Sequence, residues 1–164
     1  MVEGVSCELG LVAWGHSKAK GAEDRRPSQP VRLMPRFMLD ADTISYAIRG
    51  QGRVGAELLR HRPSELCLSS ITLAEIQFGA EAKRSQKLRR AIRSFVKDMQ
   101  VVPFDEPAAT RFAVVAAALA RQGTQIGSFD TLVAAHALSL GLTVITNNTK
   151  HFSRVPGLKS QNWT

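Results

Sequence analysis

Cysteine is scarce: Cys7 and Cys67 are the only two in 164 residues. Their number and wide separation exclude a disulfide framework and a cysteine-ligated zinc site. A reducing compartment fits instead, with Cys67 in Leu66-Cys67-Leu68 read as a small buried hydrophobe. Long apolar runs are missing too. None approaches the roughly 20 residues that a bilayer-spanning helix needs, so no membrane partner is expected. Residues 1–15 have no basic stretch ahead of an apolar core, which argues against an export signal and for a cytoplasmic protein. Aromatics make up 6% of the chain, so recognition of a nucleic acid would lean on backbone and shape more than on base stacking. Acids are also short: 14 against 22 Lys and Arg, a formal charge of +8. That balance suits a polyanionic partner but says nothing about fold.

The first 33 residues differ from the rest. Gly, Ser, Lys, Glu, Arg and Pro dominate from Gly15 to Pro30, which predicts a disordered leader over 1–33 and a folded domain over 34–164. Met34 opens a phrase that reads as a natural start. From there short apolar runs alternate with helical patterns. Strands are expected at 36–40, 66–69, 101–104 and 142–146, with a short last one after Lys159. Helices are expected at 43–48, 54–60, 73–82, 84–98, 106–121 and 131–139. This alternation gives an α/β fold, a mainly parallel sheet covered by helices on both faces.

The chain is organised around Phe37-Met38-Leu39-Asp40-Ala41-Asp42, an apolar strand that runs straight into acid. Strand tips of open parallel sheets are where ligands bind. Glu75, Asp130 and Asn148 fall in similar settings. Each has a plainer reading. A helix N-cap is one, for which Asp42 fits better than Asp40. Thr72-x-x-Glu75 has capping-box spacing, and Asp130 sits in a first helical turn that favours negative charge. His136 is read as a packing or solvent-facing residue, not a base. Asn148 is expected to hold a water or the substrate, with Asp42, Ser70 and Thr146 as hydrogen-bonding support. Oxygen-rich sets of this kind suit Mg²⁺ or Mn²⁺ and hydrolysis at phosphorus. No P-loop or dinucleotide fingerprint competes, since Gly50-x-Gly52 lacks the strand-turn-helix context.

Taken together, these motifs resemble the PIN-domain ribonucleases that serve as toxins in bacterial toxin–antitoxin pairs, the VapC-like group. The likeness spans Pro35 to Trp163. Leu39-Asp40-Ala41-Asp42 resembles the family's opening Leu-Asp-Thr-Asn or Leu-Asp-Thr-Asp, and Ser70-Ile71-Thr72-Leu73-Ala74-Glu75 its Glu segment. Ile126 to Ala137 resembles the segment with the third acid. Thr146-Asn147-Asn148-Thr149-Lys150-His151-Phe152 resembles the strand-end motif that often carries a fourth. Two departures are Ala41 for the usual Thr and Asn148 for Asp. The resemblance implies a PIN-like three-layer α/β/α sandwich with catalytic Asp40, Glu75, Asp130 and Asn148. It also implies Mg²⁺ or Mn²⁺ on Asp40, Asp130 and Glu75, the last directly or through water. RNA cleavage to 5′-phosphate and 3′-hydroxyl ends, a homodimer and a cognate antitoxin complete the family expectation. It gives a role to the basic helix, where Arg84, Lys87, Arg89, Arg90 and Arg93 would draw RNA in.

Two other readings compete. One is a DNA- or RNA-processing nuclease of the same superfamily, disfavoured by the short chain. The other is an inactive PIN-like protein that only binds an antitoxin, disfavoured by the intact acids.

Overall fold

The computed structural model describes residues 35–164, so the expected leader, Met34 and Cys7 lie outside the described residues. The elements run β1 (Phe37–Leu39), α1 (Ala41–Arg49), α2 (Val54–Leu59), a 3₁₀ turn (Pro63–Glu65), β2 (Leu66–Ser69), α3 (Ser70–Ala82), α4 (Gln86–Val96) and β3 (Gln100–Val102). There follow α5 (Glu106–Gln122), α6 (Ser128–Leu140), β4 (Thr143–Ile145), α7 (Thr149–Phe152) and β5 (Lys159–Gln161). All five strands are parallel, in the order β3-β2-β1-β4-β5.

Successive side chains of a strand point to opposite faces, and here both faces are buried. Met38, Cys67 and Val144 pack on one side with Val115, Leu119 and Val133 from α5 and α6. Phe37, Leu39, Leu66, Leu68 and Ile145 pack on the other with Ile44, Ile76 and Ile92 from α1, α3 and α4. The result is a three-layer α/β/α sandwich. Continuous apolar runs such as Phe37-Met38-Leu39 mark such strands, because alternation would leave one face wet.

Helix ends follow local chemistry. Asp105 caps α5 by accepting from Ala108 N, and Gly123 closes the helix at φ +64, a left-handed conformation that glycine adopts freely. Ser85 caps α4 through Leu88 N. Two starts differ from the sequence expectation. Helix α1 begins at Ala41, so Asp40 is the cap and Asp42 lies in the first turn. Helix α3 begins at Ser70, directly after β2, and its cap is Ser69, which accepts from Ile71 N. Thr72 is therefore inside α3, and the proposed capping box with Glu75 does not form. Arg84 is not on α4 either; it sits in the turn before it at φ +47. Helix α7 and the 3₁₀ turn were not anticipated.

The chain steps outward from β1 through β2 to β3, then returns to the other side of β1 for β4 and β5. The switch point of this sheet therefore lies between the C-terminal ends of β1 and β4, the place where open α/β sheets form a crevice.

Candidate active site

Asp40 and Thr146 follow directly on the two strands that flank the switch point. Asp40 N donates to Ile145 O at 2.9 Å, extending the β1–β4 pairing by one residue. This places the Asp40 carboxylate in a buried position, 5% exposed. Its Oδ1 accepts from Ala41 N at 2.8 Å and its Oδ2 from the Thr146 hydroxyl at 2.9 Å. Thr146 is held in turn, since its oxygen accepts from Asn148 N at 2.9 Å. Burial, with the neighbouring Asp42 charge second, pushes the Asp40 pKa up from 3.8 to about 7. The charge of Asp130 adds to the same rise.

Asp42 faces the same turn. Its Oδ2 accepts from Asn147 N at 3.0 Å, and its Oδ1 from the Thr43 hydroxyl at 3.2 Å. Desolvation raises its pKa, while these donors oppose the rise. Glu75, one turn and a half into α3, is half-buried. Its pKa is also raised, first by desolvation and then by the charges of Asp130 and Asp42. Three elements thus bring Asp40, Asp42, Glu75 and Asp130 into mutual electrostatic range. Asp42, Glu75, Ile44, Ile76, Leu88 and Lys83 line a cleft of about 260 Å³ between α1, α3 and α4. It runs from the acids to a lysine. A wider depression of about 510 Å³, lined by Glu106, Arg111 and Ser139, holds none of the motif residues.

Asp130 stands in the first turn of α6, opposite the β4–α7 turn. Asn148 Nδ2 lies 3.4 Å from its Oδ2, and His151 Nδ1 lies 2.7 Å from the same oxygen. Ser70 does not reach this group; its hydroxyl accepts from Phe104 N at 3.0 Å and ties α3 to the segment after β3. His136 is fully buried, with Nδ1 2.8 Å from the Ser69 hydroxyl. It packs, and is not at the surface.

The donor set matches a hard divalent ion in kind: carboxylate oxygens whose ionised forms repel one another, around a cleft rich in polar groups. Among the described residues, no three His, Cys, Asp or Glu side chains already converge on one ligating point. Asp40 already accepts one hydrogen bond on each oxygen, from Ala41 N and the Thr146 hydroxyl, and keeps lone pairs on both for an ion. The basic residues divide. Lys87, Arg90 and Arg93 are exposed on α4. Arg89 is folded back, with Nε 2.9 Å from Glu81 Oε1 and a side chain 28% exposed. Its charge is partly spent within the protein.

The family model described as PIN domain matches residues 37–158. The chain belongs to the PIN domain family. It is 38% identical over 132 residues to the tRNA(fMet)-specific endonuclease VapC of Shigella flexneri, covering 80% of this chain and all of that one. Among solved structures it is similar to DNA-bound VapBC from Salmonella typhimurium, with a TM-score of 0.73, 36% identity, and coverage of 80% of this chain and 100% of that one. VapBC2 from Rickettsia felis, bound to a promoter DNA fragment, gives a TM-score of 0.72 at 28% identity, covering 78% and 98%. In this PIN domain the residues that sequence reasoning passed over are His151, Asn147 and Tyr46. His151 lay inside a quoted motif, but only the fold shows that it meets Asp130. Asn147 Nδ2 donates to the Tyr46 hydroxyl at 3.3 Å, a long-range contact with no local signal.

Proposed function

We propose that this PIN domain is a metal-dependent endoribonuclease toxin of a bacterial toxin–antitoxin pair. It would hydrolyse RNA phosphodiester bonds to 5′-phosphate and 3′-hydroxyl ends. The observation that carries the reading is a buried Asp40 at the switch point, its pKa near 7, facing the charges of Asp42 and Asp130. A carboxylate so costly to ionise alone is well explained by a cation that it serves. The names of the similar proteins, an endonuclease and the VapBC complexes, support the activity and an antitoxin partner.

Asp40, Asp130 and Glu75 would hold Mg²⁺ or Mn²⁺, Glu75 directly or through water. When bound, such an ion lowers the pKa of an attacking water and offsets charge on phosphate oxygens. The chain's own groups do the rest. Thr146 holds Asp40 in register with the strand tip, and Asp42 fastens the Asn147 backbone beside it. Asn148 would bind the substrate. Lys87, Arg90 and Arg93 provide a charge field that draws in RNA without reading its sequence. Lys83 ends the cleft that begins at Asp42 and Glu75, and an antitoxin segment with an acidic end would find a partner at that lysine. Exposed Leu59, Phe78, Val114 and Phe129 offer apolar contact points for the antitoxin and for a second copy.

The test is cleavage of a fluorescent single-stranded RNA panel by antitoxin-free protein with Mg²⁺ or Mn²⁺, with EDTA, and with Asp40→Asn. Metal-dependent cutting that the variant loses establishes the reading. Inert protein that also fails to bind Mn²⁺ by calorimetry refutes it.

A further inference from the structure

His151 is the imidazole beside the acids for which the motif reading had no role. Its Nδ1 lies 2.7 Å from Asp130 Oδ2 and 2.7 Å from the Asn148 amide nitrogen. These two distances fix where the protons sit. A bare Nδ1 would set its lone pair against a carboxylate oxygen, so Nδ1 carries a proton and donates it to Asp130. That N–H cannot also face an NH₂ group at the same range, because both are donors. Amide oxygen and nitrogen are told apart by their partners, not their shape. Turning the Asn148 amide end for end gives up its long 3.4 Å contact from Nδ2 to Asp130 Oδ2 but puts Oδ1 against Nδ1–H, and one N–H then serves two oxygens.

The backbone supports this arrangement. Asn148 flanks the start of α7, and His151 N donates to Asn148 O at 3.0 Å, so one turn sets both side chains. Asp130 arrives from α6. The contact therefore joins two elements that carry the site. Both the neutral Nδ1–H tautomer and the imidazolium have their proton at this atom, so the bond does not depend on the charge of the ring.

We propose that His151 is a positioning residue that holds Asp130 and Asn148 through one shared Nδ1–H. The bond fixes the rotation of the Asp130 carboxylate, and each of its oxygens keeps a lone pair for an ion. The shared proton also fixes the Asn148 amide with its NH₂ turned away from the ring, as a donor to a phosphodiester oxygen. This role rests on the metal-nuclease reading above.

Two measurements on the full chain test it. Long-range ¹H–¹⁵N spectra of the His151 ring read the tautomer directly. Mn²⁺ titration followed by electron paramagnetic resonance compares wild type with His151→Ala, His151→Asn and His151→Gln. We expect an Nδ1–H ring, a loss of Mn²⁺ affinity of about tenfold or more in His151→Ala, as hydrogen-bonding partners of ligands usually give, and the same loss in His151→Gln. His151→Asn, whose Nδ2 takes the place of Nδ1, should recover affinity to within about threefold of wild type. A bare Nδ1 with the proton on Nε2, or an unchanged affinity in His151→Ala, overturns the inference and leaves the nuclease reading standing. Wild-type protein that neither binds Mn²⁺ nor cuts RNA with it overturns both. Should His151→Ala fail to fold, the tautomer and the His151→Asn comparison still decide.

Discussion

Asp40→Asn should make the protein more stable while it destroys activity. The native carboxyl titrates near 7 and the unfolded one near 3.8, a gap of about three pKa units. At about 1.4 kcal/mol per unit, ionised Asp40 costs the metal-free fold about 4 kcal/mol. The sign follows from linkage. A carboxyl whose folded pKa is raised leaves stability complete below the unfolded value, and stability falls as pH rises toward the folded one. Asparagine keeps the shape and removes the charge, but not every bond. Its oxygen can accept from Ala41 N, while its NH₂ must face the Thr146 hydroxyl, which now donates to Asp40 Oδ2. Repairing that contact returns about 1–2 kcal/mol of the gain. A net stabilisation of about 2 kcal/mol is expected in EDTA near pH 8.5. The gap should shrink as pH falls and reverse below about pH 5, where only the cost of the Thr146 contact remains, and Mn²⁺ should narrow it at high pH by stabilising wild type alone. Urea denaturation across that range measures it. A variant less stable than wild type at high pH, or a gap that ignores pH, would refute the reasoning.

Three further outcomes follow from particular contacts. Ser69→Ala removes both the α3 cap and the partner of buried His136, and should cost about 2 kcal/mol in chemical denaturation. Burial holds the His136 pKa below 6.5, with Asp105 opposing weakly, so its share of stability is present above 6.5 and lost as pH falls toward the lowered value. The wild-type stability profile minus that of His136→Leu isolates that share: the difference should fall as pH drops below 6.5. Phe129 is 44% exposed next to Asp130; if the RNA path runs over it, Phe129→Ala should raise the RNA KM by the equivalent of about 1–3 kcal/mol with little change in melting temperature. Replacing Lys87, Arg90 and Arg93 together by Gln should lower the salt slope of RNA binding by about 2, at roughly 0.7 per charge on single strands. Arg89→Gln, already engaged by Glu81, should lower it less; fluorescence anisotropy at several salt concentrations reads both.

The parallel sheet was legible because burial on both faces forces continuous apolar runs, and Phe37-Met38-Leu39 and Thr143-Val144-Ile145 are such runs. Asp40 could be placed at a strand tip on the same ground. What a strand tip turns into was harder to see. Between Leu68 and Ile71 there is no glycine or proline, so the junction of β2 with α3 has no breaker to mark it. The cap fell on Ser69, three residues before the Thr72 whose spacing to Glu75 suggested one. At Asp40 the same ambiguity had the opposite outcome: a residue expected only to face the crevice also caps α1. Arg84 at φ +47 breaks the basic helix with a side chain that rarely adopts that conformation, so residue type gave no warning.

Tertiary contact decides the remainder. Asp130 and His151 are twenty-one positions apart on different helices, and neither residue type nor period pairs them. Their meeting follows from the return of the chain across β1 to β4, which sets the α7 turn opposite α6. A similar limit applies to charge. Lys87, Arg89, Arg90 and Arg93 are equivalent as letters, yet one is turned into Glu81 and three face solvent. Asn148 carries the point furthest. Read by type, its carbonyl is a weak ligand for a hard ion. Read in place, its amide lies 2.7 Å from His151 Nδ1, and on the inference above it turns its oxygen to that ring and its NH₂ toward substrate. The neighbour an atom answers, more than the type of residue that carries it, decides what that atom can offer in this site.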